Sequence, residues 1–486
     1  MSAPVPVASL RDVGCLAGKR ALLADVCLDV GPGECVLLCG RSGSGKTTLT
    51  KCMNGLVPAL EPGLERTGEL RVLGMEPLSC ETWELARVVG SVFQNPRSQF
   101  YHLTSTDELA FGLENRGTDA ARIAARVREV VSDMGLERLL DRDVSRMSGG
   151  ERQALVFASV AVADPELYVL DEPTANLDER ATSVLHDQIA AVLARGKTVV
   201  VAEHRLAFLS DLVTRALLVE DGRIVREMGA GELASLTEGE RLALGLRATL
   251  PSQVPAPHVA PVPSEDAPAL GEGLSLRGLS VLRHGRQVFS PLSLDAPRGM
   301  VTGIVGANGA GKSTLLRALA GLERRTQGRV TLDGVPQSGR RRRRRCSMVM
   351  QDVNHQLFSD SVRGECELSC RARGDLDDRG EYGGVDAVLR SLDLTDLAER
   401  HPMSLSGGQK QRLAIACAML SGRPVALFDE PTSGLDLGHM IEVSALMRRL
   451  ADAGTAVLVA THDWELLDRC CDRVFRLEGR GDGMAG

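Results

Sequence analysis

Two short segments of this chain carry glycine, lysine and hydroxyl residues at the same spacing. Gly40-Arg41-Ser42-Gly43-Ser44-Gly45-Lys46-Thr47-Thr48 recurs as Gly306-Ala307-Asn308-Gly309-Ala310-Gly311-Lys312-Ser313-Thr314. Glycines at these positions let backbone N–H groups crowd around a phosphate, where side chains would block the approach. Lys46 and Lys312 are then placed to meet β- and γ-phosphates as compact charges. Thr47 and Ser313 are placed to ligate Mg²⁺. Further on, each copy has an apolar run ending in two acids, VLDE up to Glu172 and LFDE up to Glu430. Asp171 and Asp429 suit a Mg²⁺ held through its water shell. Glu172 and Glu430 suit a carboxylate that orients or deprotonates an attacking water. The chemistry these groups fit is hydrolysis of a nucleotide phosphate with Mg²⁺ bound.

Elements of a defined kind must position such groups. The apolar ECVLLC runs into the first glycine loop and TTLTKCMNGL runs out of it. MVTGIVG and STLLRALAGL do the same in the second copy. A strand turning through glycines into a helix is the context this motif needs, since the helix N-terminus adds its own partial positive charge. The repetition extends well beyond these loops. Lys46 and Lys312 are 266 residues apart, while Ser148 and Ser406, Asp171 and Asp429, and His204 and His462 are each 258 apart. Only the stretch after the first lysine differs in length, and it contains the loop-like VPALEPGLERTG. The chain therefore reads as a tandem duplication, with a first domain over 1–248, a linker over 249–270 and a second domain over 271–486. Pro251–Pro268 contains six prolines. A polyproline-type spacer of that length reaches roughly 55 Å, enough to let the halves face each other head to tail.

The residues between these motifs resemble a known family. Ser-Gly-Gly followed by Glu or Gln, at Ser148-Gly149-Gly150-Glu151 and Ser406-Gly407-Gly408-Gln409, lies between a phosphate loop and Asp-Glu-Pro-Thr in both halves. This arrangement is similar to the ATP-binding-cassette (ABC) ATPases, over nearly the whole chain except the linker. The resemblance implies an α/β fold of two tandem P-loop NTPase domains. Each would have a mixed core sheet, an antiparallel β subdomain and an α-helical signature subdomain. It implies composite sites in an intramolecular pseudo-dimer, Lys46 facing Ser406, Gly407 and Gly408, and Lys312 facing Ser148, Gly149 and Gly150. It also makes His204 and His462 the switch histidines at the γ-phosphate and Asp178 and Asp436 the D-loop aspartates. Gln94 and Gln351 become the Q-loop glutamines that contact Mg²⁺ and water.

The surroundings of those glutamines, FQNPRSQF and MQDVNHQLF, are both Gln-x4-Gln. This looks like the duplicated ATPase of energy-coupling-factor (ECF) importers of vitamins and transition-metal ions. The resemblance implies a transmembrane coupling subunit and a substrate-binding membrane subunit as partners, no nucleic acid, and a place at the cytoplasmic face of the membrane. Two other readings stay open: a fused sugar-importer ATPase and a ribosome-associated ABC protein, the latter usually carrying a long charged helical hairpin instead of a proline-rich spacer.

Some residues depart from the family pattern. Where an aromatic residue usually stacks on adenine, the first copy has Ala17 and the second has Arg283 beside His284. Glu151 places a negative charge near a phosphate site unless it turns to solvent. Arg340–Arg345 is an unbroken run of six arginines, expected as a solvated loop or, alternatively, a contact for anionic lipid.

Composition sets the outer bounds. The net charge of −7 argues against a general nucleic-acid binder, and no stretch approaches 18 uninterrupted apolar residues. The N-terminal residues lack a basic then apolar pattern, so no secretory signal is expected. The 12 cysteines contain no C-x-x-C pair, which points to buried thiols in a reducing compartment rather than a metal or disulfide framework.

Overall fold

The five-residue runs CVLLC, TVVVA, VTGIV, VALFD and AVLVA are buried at every position. Continuous aliphatic sequence of this length suits the interior of a parallel sheet covered on both faces, and that is where each run lies. The computed structural model describes residues 5–175, 177–254, 258–283, 285–371 and 382–479. His284 lies outside the described residues. The chain divides into two units, Met1–Gln253 with Asp436–Gly438, and Val254–Leu435 with His439–Gly486.

The first unit contains β1 (Ala8–Ala17), β2 (Arg20–Val30), β3 (Cys35–Cys39), β4 (Leu64–Val72), β5 (Val89–Val92), β6 (Leu167–Asp171), β7 (Thr198–Ala202), β8 (Arg215–Glu220) and β9 (Arg223–Gly229). An antiparallel sheet runs in the order β2-β1-β4. The core sheet runs β5-β6-β7-β3-β8-β9, parallel except for β9, which pairs antiparallel with β8. Helices Ser105–Glu114, Ala120–Asp133 and Gly149–Val162 form the helical subdomain. Ala120–Asp133 buries Ile123, Val127, Val130 and Val131, the stripe that a 3.6-residue period places on one face.

The second unit repeats the plan with β10 (Gly273–Arg283), β11 (Arg286–Gln287), β12 (Leu292–Pro297), β13 (Val301–Val305), β14 (Thr326–Leu332), β15 (Val335–Pro336), β16 (Cys346–Val349), β17 (Val425–Asp429), β18 (Ala456–Ala460) and β19 (Arg473–Arg476). Its antiparallel sheet runs β11-β10-β14-β15, with β12 also on β10. Its core sheet runs β16-β17-β18-β13-β19, and these five strands are all parallel. Residues 480–486 lie outside the described residues. The helical subdomain here contains Val362–Arg371, Val385–Ser391 and Gly407–Leu420.

Two sequence expectations need revision. Part of the proline-rich spacer is fixed to the second unit: Val259 pairs parallel with Val474, and Ala260 N–H donates to the Val474 carbonyl at 2.7 Å. Arg277 extends the attachment by donating to the Ala267 carbonyl (2.9 Å) and the Pro268 carbonyl (2.7 Å). The arginine run is a short helix, Gly339–Arg345, N-capped by Ser338, rather than a loop. Cations gathered in its last turn complement the negative end of the helix dipole, which offsets their mutual repulsion. Five of the six are exposed, as a solvated run should be, but Arg342 is 6% exposed.

Both antiparallel sheets kink at the same point. The register shifts between Arg11 and Gly14 on β1 and between Arg277 and Ser280 on β10. A Cβ on Gly68 would lie 2.2 Å from the Asp12 carbonyl oxygen, and one on Gly328 would lie 2.3 Å from that of Gly278. Gly328 also has φ +90°. Gly328→Ala should therefore cost at least about 2 kcal/mol of stability, from steric overlap and from backbone strain together. Calorimetric or chemical unfolding of the full chain would show it as a lowered transition.

Candidate nucleotide sites

Each glycine loop follows a fully buried central strand, β3 or β13, and opens a helix, Lys46–Met53 or Lys312–Leu319. A Cβ on Gly40 would sit 2.2 Å from the Val219 carbonyl oxygen, and one on Gly306 would sit 2.6 Å from that of Leu477. Gly43 and Gly309, at φ +76° and +85°, have nothing within 4 Å of that position. The loops are thus pressed against the sheet on one side and open at the tip. Lys46 Nζ turns inward and donates to the carbonyls of Gly40 and Arg41, both at 2.9 Å. Lys312 Nζ donates to Gly306 at 2.7 Å and to Ala307 at 3.5 Å. Burial pushes the Lys46 ammonium below the usual lysine range, and the Glu172 carboxylate opposes that shift.

The hydroxyl and carboxylate expected to share a metal meet in both copies. Thr47 Oγ1 donates to Asp171 Oδ1 at 3.0 Å, and Ser313 Oγ donates to Asp429 Oδ1 at 2.9 Å. Burial pushes both aspartates up to about 6, against the hydroxyl hydrogen bond that lowers each. Among the described residues, Ser44 Oγ is buried in the first loop without a hydrogen-bond partner. An open loop tip, an orphaned buried hydroxyl and paired hard oxygen donors fit a phosphate chain with Mg²⁺.

Around the glutamates the two units differ. Gln94 Nε2 donates to Glu172 Oε2 at 2.6 Å, and His204 Nε2 lies 3.4 Å from both Glu172 Oε1 and Ser42 Oγ. In the second unit His462 Nδ1 lies 2.9 Å from Glu430 Oε2, and Lys312 Nζ lies 3.6 Å from Glu430 Oε1. Burial opposes ionisation of Glu430, but His462 and Lys312 outweigh it and hold its carboxyl below the usual range. Both glutamates adopt positive φ, +45° and +47°, where the chain leaves the sheet. Strain of this kind in a side chain with a Cβ is held in place by surrounding contacts.

The Ser-Gly-Gly segments begin helices. Ser148 caps Gly149–Val162 and Ser406 caps Gly407–Leu420. Gly150 packs on Ala181 and Gly408 on the His439 ring, where a Cβ would come within 2.6 and 3.0 Å. Gly149 and Gly407 face open space. Glu151 does not turn to solvent, as sequence allowed, nor does it leave a bare charge. It accepts from the Ser148 N–H at 2.8 Å and from Arg142 at 2.6 Å. Burial opposes its ionisation, but these donors prevail and its carboxyl is held low. Gln409 makes the same return contact to the Ser406 N–H at 3.0 Å, which explains why Glu and Gln interchange here. Asp178 caps the helix Glu179–Ala194 through the Ala181 N–H at 2.9 Å, and Asp436 is buried just ahead of Leu437–Asp452. Ala17 and Arg283 occupy the same place, the last residue of β1 and of β10, and Arg283 is ion-paired with Glu323.

Several organising residues were not singled out from sequence. Buried Glu203 accepts from Thr174 Oγ1 at 2.8 Å and from the N–H groups of His204 and Arg205 at 2.7 and 3.0 Å. The second unit supplies the equivalent carboxylate on the other side of its histidine, as Asp463 accepts from Thr432 Oγ1 at 2.7 Å. The second glutamine of each Gln-x4-Gln closes its own loop, Phe93 N–H to Gln99 at 2.8 Å and Met350 N–H to Gln356 at 2.7 Å. Glu108 gathers the N–H groups of Tyr101 and His102, and Glu365 those of Phe358 and Ser359. The offset of 257 shared by Gln99 with Gln356 and by Glu108 with Glu365 was the available signal for these four.

The ABC transporter family model matches residues 23–175 and 289–433, more than half of the chain. The chain belongs to the ABC transporter ATP-binding proteins. A Treponema denticola protein, provisionally named an ABC transporter ATP-binding protein, is 42% identical over 95% of this chain and 93% of its own length. A Bacillus subtilis protein, provisionally named for HMP/thiamine import, is 30% identical over 96% of this chain and 89% of its own. Among solved structures, an archaeal ribosome recycling factor bound to a ribosomal stalk protein superposes with TM-score 0.61 at 22% identity, over 97% of this chain and 91% of its own. That likeness extends to the fold. As a member of the family the chain is an ATP-binding ATPase of a transporter. Among the described residues, no helix is long and apolar enough to cross a membrane.

The raised aspartates make a prediction for the nucleotide-free protein. The folded-state value of Asp429, about 6, lies above the unfolded value of roughly 3.9, so protonation favours the fold. The destabilisation is full above pH 6 and fades as pH falls towards 4. Asp429→Asn, which still accepts from Ser313, should raise Tm at pH 7.5 by about 2–4 °C for each kcal/mol relieved, and by much less near pH 4.5. Thermal denaturation without nucleotide or metal at the two pH values checks this.

Proposed function

We propose that this ATPase energises an importer of the energy-coupling-factor kind, for a vitamin or a transition-metal ion, through two head-to-tail composite sites. The observation that carries the reading is the completeness of both half-sites. Each unit brings a buried lysine, a hydroxyl–aspartate pair, a glutamate and a histidine to one end of its core sheet. The Bacillus subtilis relative named for HMP/thiamine import supports the vitamin class. The sugar-importer reading often comes with one degenerate site, which these contacts do not favour. The ribosome-associated reading rests on a structure alike in fold alone.

In the proposed reaction Lys46 and Lys312 hold the terminal phosphates against the loop N–H groups, and Glu172 and Glu430 orient and deprotonate water. His204 and His462 fix those glutamates while contacting the γ-phosphate. Thr47, Asp171 and Gln94, and Ser313, Asp429 and Gln351, are the residues that would hold Mg²⁺. The metal would supply charge neutralisation on the phosphate oxygens. Ser406, Gly407 and Gly408 would complete the site of Lys46, and Ser148, Gly149 and Gly150 that of Lys312, presenting helix N-termini to the γ-phosphate. The D-loop aspartates Asp178 and Asp436 would link the two sites. Partners on this reading are a transmembrane coupling subunit and a substrate-binding membrane subunit at the cytoplasmic face of the membrane.

Two working sites make a specific demand. Glu172→Gln and Glu430→Gln should each cut ATP turnover substantially, and the double variant should cut it by more than about 100-fold while ATP still binds. Steady-state hydrolysis with a parallel ATP-binding measurement tests it. Unchanged turnover in Glu430→Gln beside abolished turnover in Glu172→Gln would remove the two-site mechanism.

A further inference from the structure

The cysteines of this chain are free thiols outside the nucleotide sites, and they differ in what surrounds each sulfur. Cys35, Cys39 and Cys346 are packed into core strands, where burial pushes each thiol up to about 12. Cys15 and Cys52 hydrogen-bond each other in the first unit, but both are fully buried and closed to reagents. Cys470 and Cys471 are chain neighbours, whose Cα atoms, about 3.8 Å apart, are closer than a relaxed disulfide allows.

A third pairing, in the second unit, combines a sulfur partner with access to solvent. Cys366 lies on the helix Val362–Arg371 and Cys417 on the helix Gly407–Leu420, and these helices pack together. The two thiols are hydrogen-bonded to each other. Cys417 Sγ also donates to the Glu365 carbonyl at 3.7 Å, the peptide group that leads into Cys366. Cys366 is fully buried, whereas Cys417 is half-buried. Donation to Cys417, and then burial, push the Cys366 thiol well above its usual range. Cys366 thus keeps its proton directed at the Cys417 sulfur, and Cys417 is the sulfur that meets a reagent first. Cys370 stands one helical turn beyond Cys366, on the same face and half-buried. By the offsets of 257 and 258 the first unit has Leu109, Leu113 and Ser159 at these three places. The thiol cluster is therefore a feature of the second unit that the nucleotide chemistry does not require.

We propose that Cys366 and Cys417 form a reversible disulfide when the chain meets an oxidant of the peroxide class, and that this bond slows ATP hydrolysis. The Cys417 sulfur attacks one peroxide oxygen and the O–O bond breaks. The departing hydroxide leaves as water with the Cys417 proton, and Cys417 becomes a sulfenic acid. The Cys366 sulfur then attacks the Cys417 sulfur, the S–O bond breaks, and the hydroxide released takes the Cys366 proton as a second water. The two sulfurs together lose the two electrons that reduce the peroxide. A dithiol reductant reverses the bond by exchange and is itself left as a disulfide.

Bonding shortens the sulfur–sulfur separation from hydrogen-bond range to about 2.05 Å. In a close-packed interior the two helices must shift to allow it. One of them carries Glu365, next to Cys366, whose carboxylate accepts from the Phe358 and Ser359 N–H groups at 2.8 and 2.7 Å. Those residues end the loop that Gln356 closes on the Met350 N–H. The other helix opens at Ser406-Gly407-Gly408. The disulfide thus pulls on the Gln351 loop and on the Ser-Gly-Gly turn together.

The test treats the reduced full chain with hydrogen peroxide, maps its peptides by mass spectrometry without reductant, and measures ATP turnover in parallel. A peptide pair joining Cys366 to Cys417 should appear, two hydrogens lighter than the free thiols. Turnover should fall by about tenfold or more and return on adding dithiothreitol. Cys417→Ser, which copies Ser159 of the first unit, should keep basal turnover and lose sensitivity to peroxide. Cys366→Ala should do the same, while Cys370→Ala should stay sensitive. A link from Cys417 to Cys370, oxidation of Cys417 without a link, or a link with unchanged turnover would overturn the inference. So would peroxide inhibition that persists in both Cys417→Ser and Cys366→Ala. The link and its reversal are read on the unaltered chain, so a variant that misfolds does not remove the test.

Discussion

A buried ammonium group at the base of each glycine loop constrains the rest of the site. Lys46 and Lys312 sit at 3% and 6% exposure with backbone carbonyls of their own loops as hydrogen-bond acceptors. Taking a charge out of water requires compensation close by. Turning the loop carbonyls inward to the lysine is one part of it, and this requires backbone at Gly40 and Gly306 that a Cβ would obstruct. The first-turn hydroxyl is thereby aimed at the aspartate two strands away. Sheet order does the remaining positioning. In β6-β7-β3 and in β17-β18-β13, the acidic turn, the histidine turn and the glycine loop emerge side by side from neighbouring strands.

The duplication shows which parts of this arrangement chemistry fixes and which it leaves free. A carboxylate must tie the threonine after the acidic turn to the histidine strand, yet Glu203 precedes its histidine and Asp463 follows its own. The helix cap after Ser-Gly-Gly needs an acceptor that reaches back to the serine N–H, and Glu151 and Gln409 both reach it. The added charge of Glu151 is absorbed by Arg142 at 2.6 Å. Function is set by the acceptor's reach in each case, not by residue identity.

The local geometry of the glycine-rich and acidic motifs was readable in the sequence, because tight backbone turns and close approach allow few residue types. The glycine loops, the hydroxyl–aspartate pairs and the strand–loop–helix context all occur where the patterns of Gly40–Thr48 and Gly306–Thr314 placed them. Residues that organise a loop were harder to see, since an interior carboxylate such as Glu108 or Glu203 looks like any surface acid. The arginine run failed in a different way. Its charge density suggested loop, but the Ser338 cap, favourable placement near a helix C-terminus and the burial of Arg342 together make it helical. Tertiary context overruled composition there.

The interiors of the two units agree while their surfaces beside the Gln loops diverge, and the hydrogen-bond framework accounts for how both can hold. In the first unit Glu172 is joined to Gln94 at 2.6 Å, the Gln94 loop is closed by Gln99, and the loop's exit is held by Glu108 on the helix Ser105–Glu114. These contacts form one contiguous path from the nucleotide end of the core sheet to the exposed surface at Trp83 and Tyr101. Nothing along it involves the side chains of those two residues. The surface can therefore change its chemistry without altering how the glutamate is tied to the loop. By the offset of 257 the second unit does so, with Arg340 in place of Trp83. A framework that must remain constant around the glutamate is thus carried beside a surface whose side chains are free to vary.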